Sequence, residues 1–512
     1  MAIEYGLKIF LIFILKADKL LLFEGGQILE LEFISDNINH SFKSKSTMSK
    51  INHEFIQRLN QVLGPKYVFT DRETLEAYNF DGTEYHYLPD VVVEPDTAEQ
   101  ISELMKLASA YRVPVVPRGA ATGLSGGALA IQGGVVLSLL RMDKILEIDE
   151  INMIAVVQPG VINLHLHEAV EARGLYYPPD PASYETSSIG GNIAEDAGGP
   201  HCYKYGTTRD YVLGLKVVLP DGTMLNTGVK TRKGVVGYDL TNLIVGSEGT
   251  LAIVTEATLR LIPLPAKIVS LLAFFPDTPS LVSSLAGMTK SRIVPAALEF
   301  LDPACVNLIR GKIGINLPQE SASMLIIDLD GEPEELDRQI EIVGEGCLTA
   351  GALDVLIAEG SERRKGLWDV RRKLRDLIKE GNQFKRAEDV TVPISQIPEL
   401  IRACERISRQ FGLDNYNFGH LGDGNVHVNL THREKNEQVI KQGEKAAEEI
   451  FKLVLQLGGT ISGEHGIGIT KQPFLGLELS KRSIELQREI KRAFDPLNIL
   501  NPGKIFPDDG SV

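Results

Sequence analysis

Apolar residues recur along this chain at two spacings, and the change from one to the other lays out its elements. Between 52 and 63, Phe55, Ile56, Leu59 and Val62 keep the helical interval, and Gly64-Pro65 ends the run. The stretch 89–95, PDVVVEP, is β-branched and reads as a short strand, and the Thr97-x-x-Gln100 that follows it is the pattern of a reciprocally capped helix start. Ile101, Leu104, Met105, Ala108 and Tyr111 give that helix one apolar face. It is therefore expected to lie on a sheet holding VVV and the next run, VPVV, as a β-α-β unit. Further strands are expected at 134–139 and 153–158, a helix at 161–173 closed by Gly174, and a hairpin at 214–219 and 223–227 around Pro220-Asp221-Gly222. Residues 246–261 alternate in the strand period.

Pro263-Leu264-Pro265 breaks this pattern and sets a domain boundary near Lys267. Beyond it, strand-like 268–275, 298–301, 324–329 and 354–358 alternate with helical 280–289, 333–346 and 362–379. That order predicts an α+β domain on an antiparallel sheet. The expected division is 48–267, 268–475 and a C-terminal segment 476–512. Residues 1–47 read as an extension outside the fold. Their apolar run, 9–15, is cut off by Lys16, Asp18 and Lys19, far short of the roughly 20 residues of a membrane span. Glu4 ahead of the run, with no clean cleavage site after it, argues against a secretory leader. A membrane-associating tail is the other reading of this stretch.

Composition changes the picture in three ways. A chain of 512 residues exceeds one ordinary core, which supports the division into domains. A net charge of -15 disfavours the phosphate backbone of a nucleic acid as partner. Cys202, Cys305, Cys347 and Cys404 are scattered, with no C-x-x-C pair, so neither an iron–sulfur cluster nor a structural zinc is encoded, and a reducing cytoplasm suits the chain.

Candidate chemistry begins at 113–127, VPVVPRGAATGLSGG, where a β-branched run enters a loop of glycines and other small residues. Such a loop lets backbone N–H groups approach a pyrophosphate, with Arg118 adding a fixed positive charge. It matches neither G-x-x-x-x-G-K-[ST] nor a strand–G-x-G-x-x-G–helix unit, so neither a P-loop nor a Rossmann site is supported. A plain turn between two strands would explain one such loop. A second glycine-rich segment, SIGGNIAEDAGG at 188–199, is harder to explain that way.

PRGAATGLSGG, with PPDPASYETSSIGGNIAEDAGG at 178–199 and YGTTRDYVLGLKVVLPDG at 205–222, resembles the FAD-binding domain of the vanillyl-alcohol oxidase type. Within it, the chain is similar to the glycolate oxidase and D-lactate dehydrogenase branch, over nearly all of 48–506. The resemblance implies an α+β protein: a two-lobed FAD-binding domain, an antiparallel-sheet cap, and a C-terminal return to the first domain. It implies FAD contacts from Pro117, Arg118, Gly119, Ala120, Ala121, Thr122, Gly123, Ser125 and Gly126 in the first loop. Asp180, Pro181, Ser187, Gly190, Gly191, Asn192 and Gly198 would serve in the second, followed by Gly249, Ile253 and Val254, with Asn501 beside the flavin ring. No histidine or cysteine occurs within 117–130, so FAD is expected to be held without a covalent link.

The densest chemical signal is C-terminal: GHLGDGNVH at 419–427 and SGEHGIG at 462–468. His420 and His427 are seven apart, wrong for one helix face but workable if a turn at 422–424 folds one strand end onto another. Imidazoles with a carboxylate such as Glu464 suit zinc, manganese or iron; hydrogen-bonded loop histidines are the alternative. The resemblance makes His420, His427 and Glu464 ligands of a divalent metal, Asn429 a substrate contact and His465 the base beside the flavin. It also matches Arg371, in the WDVR of 368–371, to a substrate-carboxylate site, with Arg372 and Arg375 as runners-up and a solvated basic helix as the alternative. Where the 2-hydroxyglutarate branch carries a threonine four residues on, this chain has Arg375, and its lysine is shifted to Lys385. A second-carboxylate pocket is therefore not expected.

The implied activity is FAD-dependent oxidation of a short 2-hydroxy acid, glycolate or D-lactate. Electrons would pass to an acceptor other than NAD: a quinone, a cytochrome or an iron–sulfur partner protein. The protein would be cytoplasmic, at a membrane only through that acceptor. D-2-hydroxyglutarate or another D-2-hydroxy acid as substrate, a metal hydrolase, and a flavin-binding component of a complex without catalysis of its own are the competing readings.

Overall fold

The computed structural model describes residues 51–312, 316–358 and 360–507, together with 14–16, 19–24 and 27–32. Residues 1–48 form a unit of their own, in which the strands Ile14–Lys16, Lys19–Glu24 and Gln27–Glu32 make an antiparallel sheet. Most of the N-terminal extension therefore lies outside the described residues. Everything discussed below belongs to the second unit, 49–512.

Its first lobe is a four-stranded sheet ordered Val68–Phe69, Val91–Val93, Val135–Ser138, Val115–Arg118. The helix Ala98–Tyr111 starts on Thr97, whose Oγ1 accepts from Gln100 N at 3.3 Å. The reciprocal bond differs from expectation, because Gln100 Oε1 accepts from Asp96 N instead. Ile101, Leu104 and Met105 are fully buried against the sheet, each contributing roughly 1.5–3 kcal/mol relative to exposure. The expected β-α-β unit is present, with the parallel strand Val135–Ser138 between its two strands. The C-terminus completes this lobe: Val115 N donates to Ile499 O at 2.8 Å and Asn501 N to Val115 O at 2.7 Å.

The second lobe is a five-stranded antiparallel sheet ordered Met224–Gly228, Val212–Val218, Ile253–Arg260, Ile154–Val157, Ile145–Asp149. The helix Ile189–Glu195 packs Ile189 and Ile193 into the core of this lobe. The segment 178–181 joins no strand, as its prolines dictate.

The cap is a seven-stranded antiparallel sheet ordered Asp354–Ala358, Lys267–Phe275, Ser323–Gly331, Ala297–Leu301, Asp414–His420, Asn425–His432, Phe384–Thr391. Both faces are covered, which is why the inner strands Lys267–Phe275 and Ala297–Leu301 are largely apolar on both sides, whereas Asn425–His432 alternates. Val269, Leu271, Ala273 and Phe275 face the helices Thr278–Lys290, Pro333–Thr349, Ile397–Gln410 and Glu437–Gln456. Leu272 and Phe274 face Pro303–Ile309 and Ser361–Lys379. Among the described residues, no helix is long and apolar enough to cross a membrane.

Candidate active site

The two glycine-rich segments face one another across a cleft of about 1380 Å³, its open mouth included. One wall is the loop after Val115–Arg118; the other is the start of the helix Ile189–Glu195. Gly119 is where they come closest: a Cβ there would lie 2.1 Å from Ser188 Oγ, which caps the helix by accepting from Gly191 N. Ala121 holds a left-handed φ of 54°, which turns the loop around the cleft.

Most residues expected to contact FAD line this cleft, from Pro117 to Gly123 on one side and Pro181, Gly190, Gly191, Asn192, Gly198, Gly249, Ile253 and Val254 on the others. Ser125, Gly126, Asp180, Ser187 and Asn501 do not. Asp180 instead pairs with His201, whose Nδ1 lies 2.6 Å from its carboxylate. Burial alone would lower the His201 imidazole, but Asp180, helped by Asp328 and Asp330, raises it to about 9. Asn501 acts as a brace, donating from Nδ2 to Glu248 O at 2.8 Å and Gly127 O at 3.0 Å. The cleft suits FAD where the two glycine-rich segments face one another, since there they offer backbone and small side chains to a pyrophosphate.

Glu464 and His465 line the cleft, and the histidine pair lies against Glu464. The predicted turn exists. The strands Asp414–His420 and Asn425–His432 form a hairpin in which His420 pairs with Asn425, two residues from His427, so both imidazoles share a face with centroids 5.2 Å apart. Gly424 closes the turn at φ 83°, and a Cβ there would meet Val392 O at 2.0 Å. Glu464 Oε1 is 3.6 Å from His420 Nε2, 3.5 Å from His427 Nε2 and 3.8 Å from His465 Nε2. These separations are long for hydrogen bonds but natural for donors sharing one ion at roughly 2.0–2.2 Å each. Asp389 is also within ligand range of His427, Glu464 and His465. Its oxygens are already occupied: Oδ2 accepts from the backbone N–H of Gly463, Glu464 and His465 at 2.8, 2.9 and 3.0 Å, and Oδ1 from Asn425 Nδ2 at 2.6 Å. His420, His427 and Glu464 fit a divalent ion better.

Three buried acids position this cluster. Glu299 hydrogen-bonds His420 Nδ1 on one oxygen and accepts from Arg371 Nε at 2.8 Å on the other. Burial would raise its carboxyl, but His420 and Arg371 hold it below the usual range. Asp389 is likewise fully buried and, against the effect of that burial, is drawn well below the range by His465, Lys471 and His427. Glu248 accepts from Ile467 N and Gly468 N at 2.8 and 2.7 Å, anchoring the loop after His465 to the first domain. No local motif marks any of the three, although Glu299 is the one carboxylate in the apolar strand Ala297–Leu301.

Arg371 lies beside the histidines, its guanidinium 4.1 Å from the Phe418 ring centroid and only its Nε bonded among the described residues. Asn429, buried, donates to His427 O and Tyr416 O at 3.2 and 3.3 Å. Arg375 is on the cleft wall with Glu464 and His465. Near it, burial, Arg375 and Lys379 lower Lys385 to about 8. Neither Arg375 nor Lys385 has an ion-pair partner among the described residues. Arg375 lines the cleft, whereas Lys385 does not.

Comparison with known proteins finds matches to both halves of the second unit. Residues 89–228 match the FAD binding domain and 264–505 the C-terminal domain of FAD linked oxidases. The chain is 42% identical to "Glycolate oxidase subunit GlcD" of Bacillus subtilis, over 88% of this chain and 97% of that one. It is 36% identical to "D-lactate dehydrogenase" of Anaerostipes hadrus, over 90% and 99%. The fold is that of 4-ethylphenol oxidase from Gulosibacter chungangensis, with a TM-score of 0.71 at 20% identity over 89% of this chain and 97% of that one.

Proposed function

Because this chain belongs to the FAD-linked oxidases, we propose that it is an FAD-dependent dehydrogenase that oxidises a short 2-hydroxy acid, glycolate or D-lactate, to the 2-oxo acid. The observation that carries this reading is the convergence of Glu464, His465, His420 and His427 beside a cleft walled by both glycine-rich segments. FAD bound in that cleft supplies the two-electron acceptor. A divalent ion on His420, His427 and Glu464 would supply a Lewis acid for the substrate hydroxyl.

The chain's own residues then have separate tasks. Arg371, fixed through Nε to Glu299, presents its terminal N–H groups to the substrate carboxylate. Asn429 hydrogen-bonds the substrate from the same strand face as His427. His465 takes the hydroxyl proton at Nε2, and the charged Asp389, held against His465 N at 3.0 Å, stabilises the imidazolium that results. Electrons leave for a carrier other than NAD, of the quinone, cytochrome or iron–sulfur class.

A larger substrate with a second carboxylate, such as D-2-hydroxyglutarate, is the second reading, favoured by Arg375 and Lys385. Anaerobic mixing of the purified flavoprotein with glycolate, D-lactate, L-lactate and D-2-hydroxyglutarate in parallel separates the two. Bleaching by a monocarboxylate supports the first, bleaching by the diacid alone supports the second, and a yellow protein bleached by none would remove both.

A further inference from the structure

One carboxylate in the cleft has no task in this account. Glu195 ends the helix Ile189–Glu195 and lines the cleft beside the pyrophosphate loop. A Cβ built on Gly127 would sit 3.0 Å from Glu195 Oε1, so that oxygen faces the loop. Its other oxygen, Oε2, is shut off from solvent and has no hydrogen-bond partner. Oε2 points toward Gly466, where a Cβ would meet it at 2.6 Å and Glu248 Oε1 at 3.0 Å. Two carboxyl groups therefore converge over one glycine. They are not equivalent, because each oxygen of Glu248 already accepts a backbone N–H. Such bonds favour the ionised form, so Glu248 holds the negative charge, and a proton carried by Glu195 sits on Oε1, the oxygen that faces the loop.

The remaining charges near Glu195 point the same way. Asp81, 7% exposed, is a third acid in this corner, with Oδ2 also shut off and unpartnered. The compensating cation, Lys504, directs its Nζ to Leu129 O at 2.6 Å, Gly127 O at 3.3 Å and Asn501 Oδ1 at 3.3 Å, not to Glu195. Burial first, then Glu248 and Asp81, push the Glu195 carboxyl well above the usual range. An anionic cofactor would add further negative charge beside it. A loop built to hold a pyrophosphate has little use for a carboxylate at its side, but a neutral carboxylic acid there offers an O–H donor.

We propose that Glu195 binds FAD as a protonated carboxylic acid, donating its O–H to an oxygen of the cofactor, so that FAD affinity is coupled to one proton. The proposal rests on reading the cleft as the FAD site. Its linkage has a definite sign. Where Glu195 is already protonated in the empty site, affinity is independent of pH. Above that point binding must take up a proton, and the dissociation constant rises up to about tenfold per pH unit. The groups facing Glu195 that could also titrate are Glu248, Asp81 and Lys504, with His465 next along the chain from Gly466.

The test uses the full-length holoprotein, with FAD release on dilution followed by flavin fluorescence from about pH 6 to about pH 10. For the wild type the expected result is a dissociation constant flat at low pH and rising toward about tenfold per unit above. Glu195→Gln, a donor that cannot ionise, should flatten the profile while keeping low-pH affinity within a few-fold. Glu195→Ala should bind weakly at every pH. A Glu195→Gln profile as steep as the wild type's would assign the proton to one of the other four groups and overturn the proposal. Equal loss of FAD by Gln and Ala variants would overturn it as well. Should the variants fail to fold, proton uptake on adding FAD to weakly buffered wild-type protein decides alone: no uptake anywhere in that pH range refutes the coupling. Release of ADP, which carries the pyrophosphate without the flavin, locates the acceptor: the same pH profile for ADP puts it on the pyrophosphate, and its absence with ADP puts it on the flavin. Failure of the underlying reading looks different, as a wild type that binds no FAD at any pH.

Discussion

The glycine-rich half of the cleft and the histidine half use opposite means of recognition. Around Gly119, Ala121 and Gly191, the chain offers backbone, and specificity lies in how closely two loops approach. Around His465, it offers side chains from separate segments, two of them held by buried acids: Glu299 behind His420, and Asp389 and Glu248 beneath the one loop from Gly463 to Gly468. A backbone site needs only that nothing protrude. A side-chain site needs charges buried at the right distance, so a single change there removes more free energy and the site fails more abruptly.

That contrast can be broken at single positions. His465→Ala should lower turnover by roughly 10²- to 10⁴-fold, the usual range for a general base, while flavin and metal contents stay constant. Stopped-flow flavin reduction checks this, and reduction at the wild-type rate would remove the base assignment. Glu464→Ala should instead lower metal content and activity together. Asp389→Ala leaves three backbone N–H groups and Lys471 without their buried acceptor. A cost of roughly 3–5 kcal/mol is expected in urea unfolding, and a loss under about 1 kcal/mol would mean that the acid does not brace the loop.

The next effect depends on pH. His201 is raised from 6.5 to about 9. Its contribution is therefore complete below pH 6.5 and lost as pH rises through 9, a total of about 3 kcal/mol at roughly 1.36 kcal/mol per unit. Unfolding midpoints of wild type and His201→Gln should converge across that window, and parallel curves would count against the pair. The smallest effect is expected on the backbone side. Gly119→Ala drives a methyl onto Ser188 Oγ, costing the helix its cap, about 1 kcal/mol, with FAD affinity falling about tenfold. Adding Ser188→Ala should relieve the clash and recover part of that affinity.

The same contrast explains what could be read from the sequence. Asp354–Ala358 has the expected bounds, and the helix expected over 161–173 spans Asn163–Glu171, since local periodicity governs both. The glycine loops were legible because small residues in series are visible within a dozen positions. The hairpin joining His420 to His427 was legible for the same reason, through Gly422 and Gly424. Glu299, Asp389 and Glu248 were not, because each acts on a partner far along the chain and nothing nearby distinguishes it from an ordinary acid. Strand order was also hidden: the insertion of Val135–Ser138 between Val91–Val93 and Val115–Arg118 leaves no trace in either strand's own pattern.

The bridge between Val115 and Leu500 sets an order of assembly. The strand that delivers the pyrophosphate loop gains its outer hydrogen bonds from Ile499 and Asn501, residues made long after the loop itself. A ribosome adding about 5–20 residues per second needs roughly 20–80 s to cover that interval. Throughout it the nascent chain carries a flavin loop with one side unpaired and without its Asn501 brace. Cofactor loading is thus expected to follow synthesis of Asn501, and fragments terminated before it would leave the ribosome colourless.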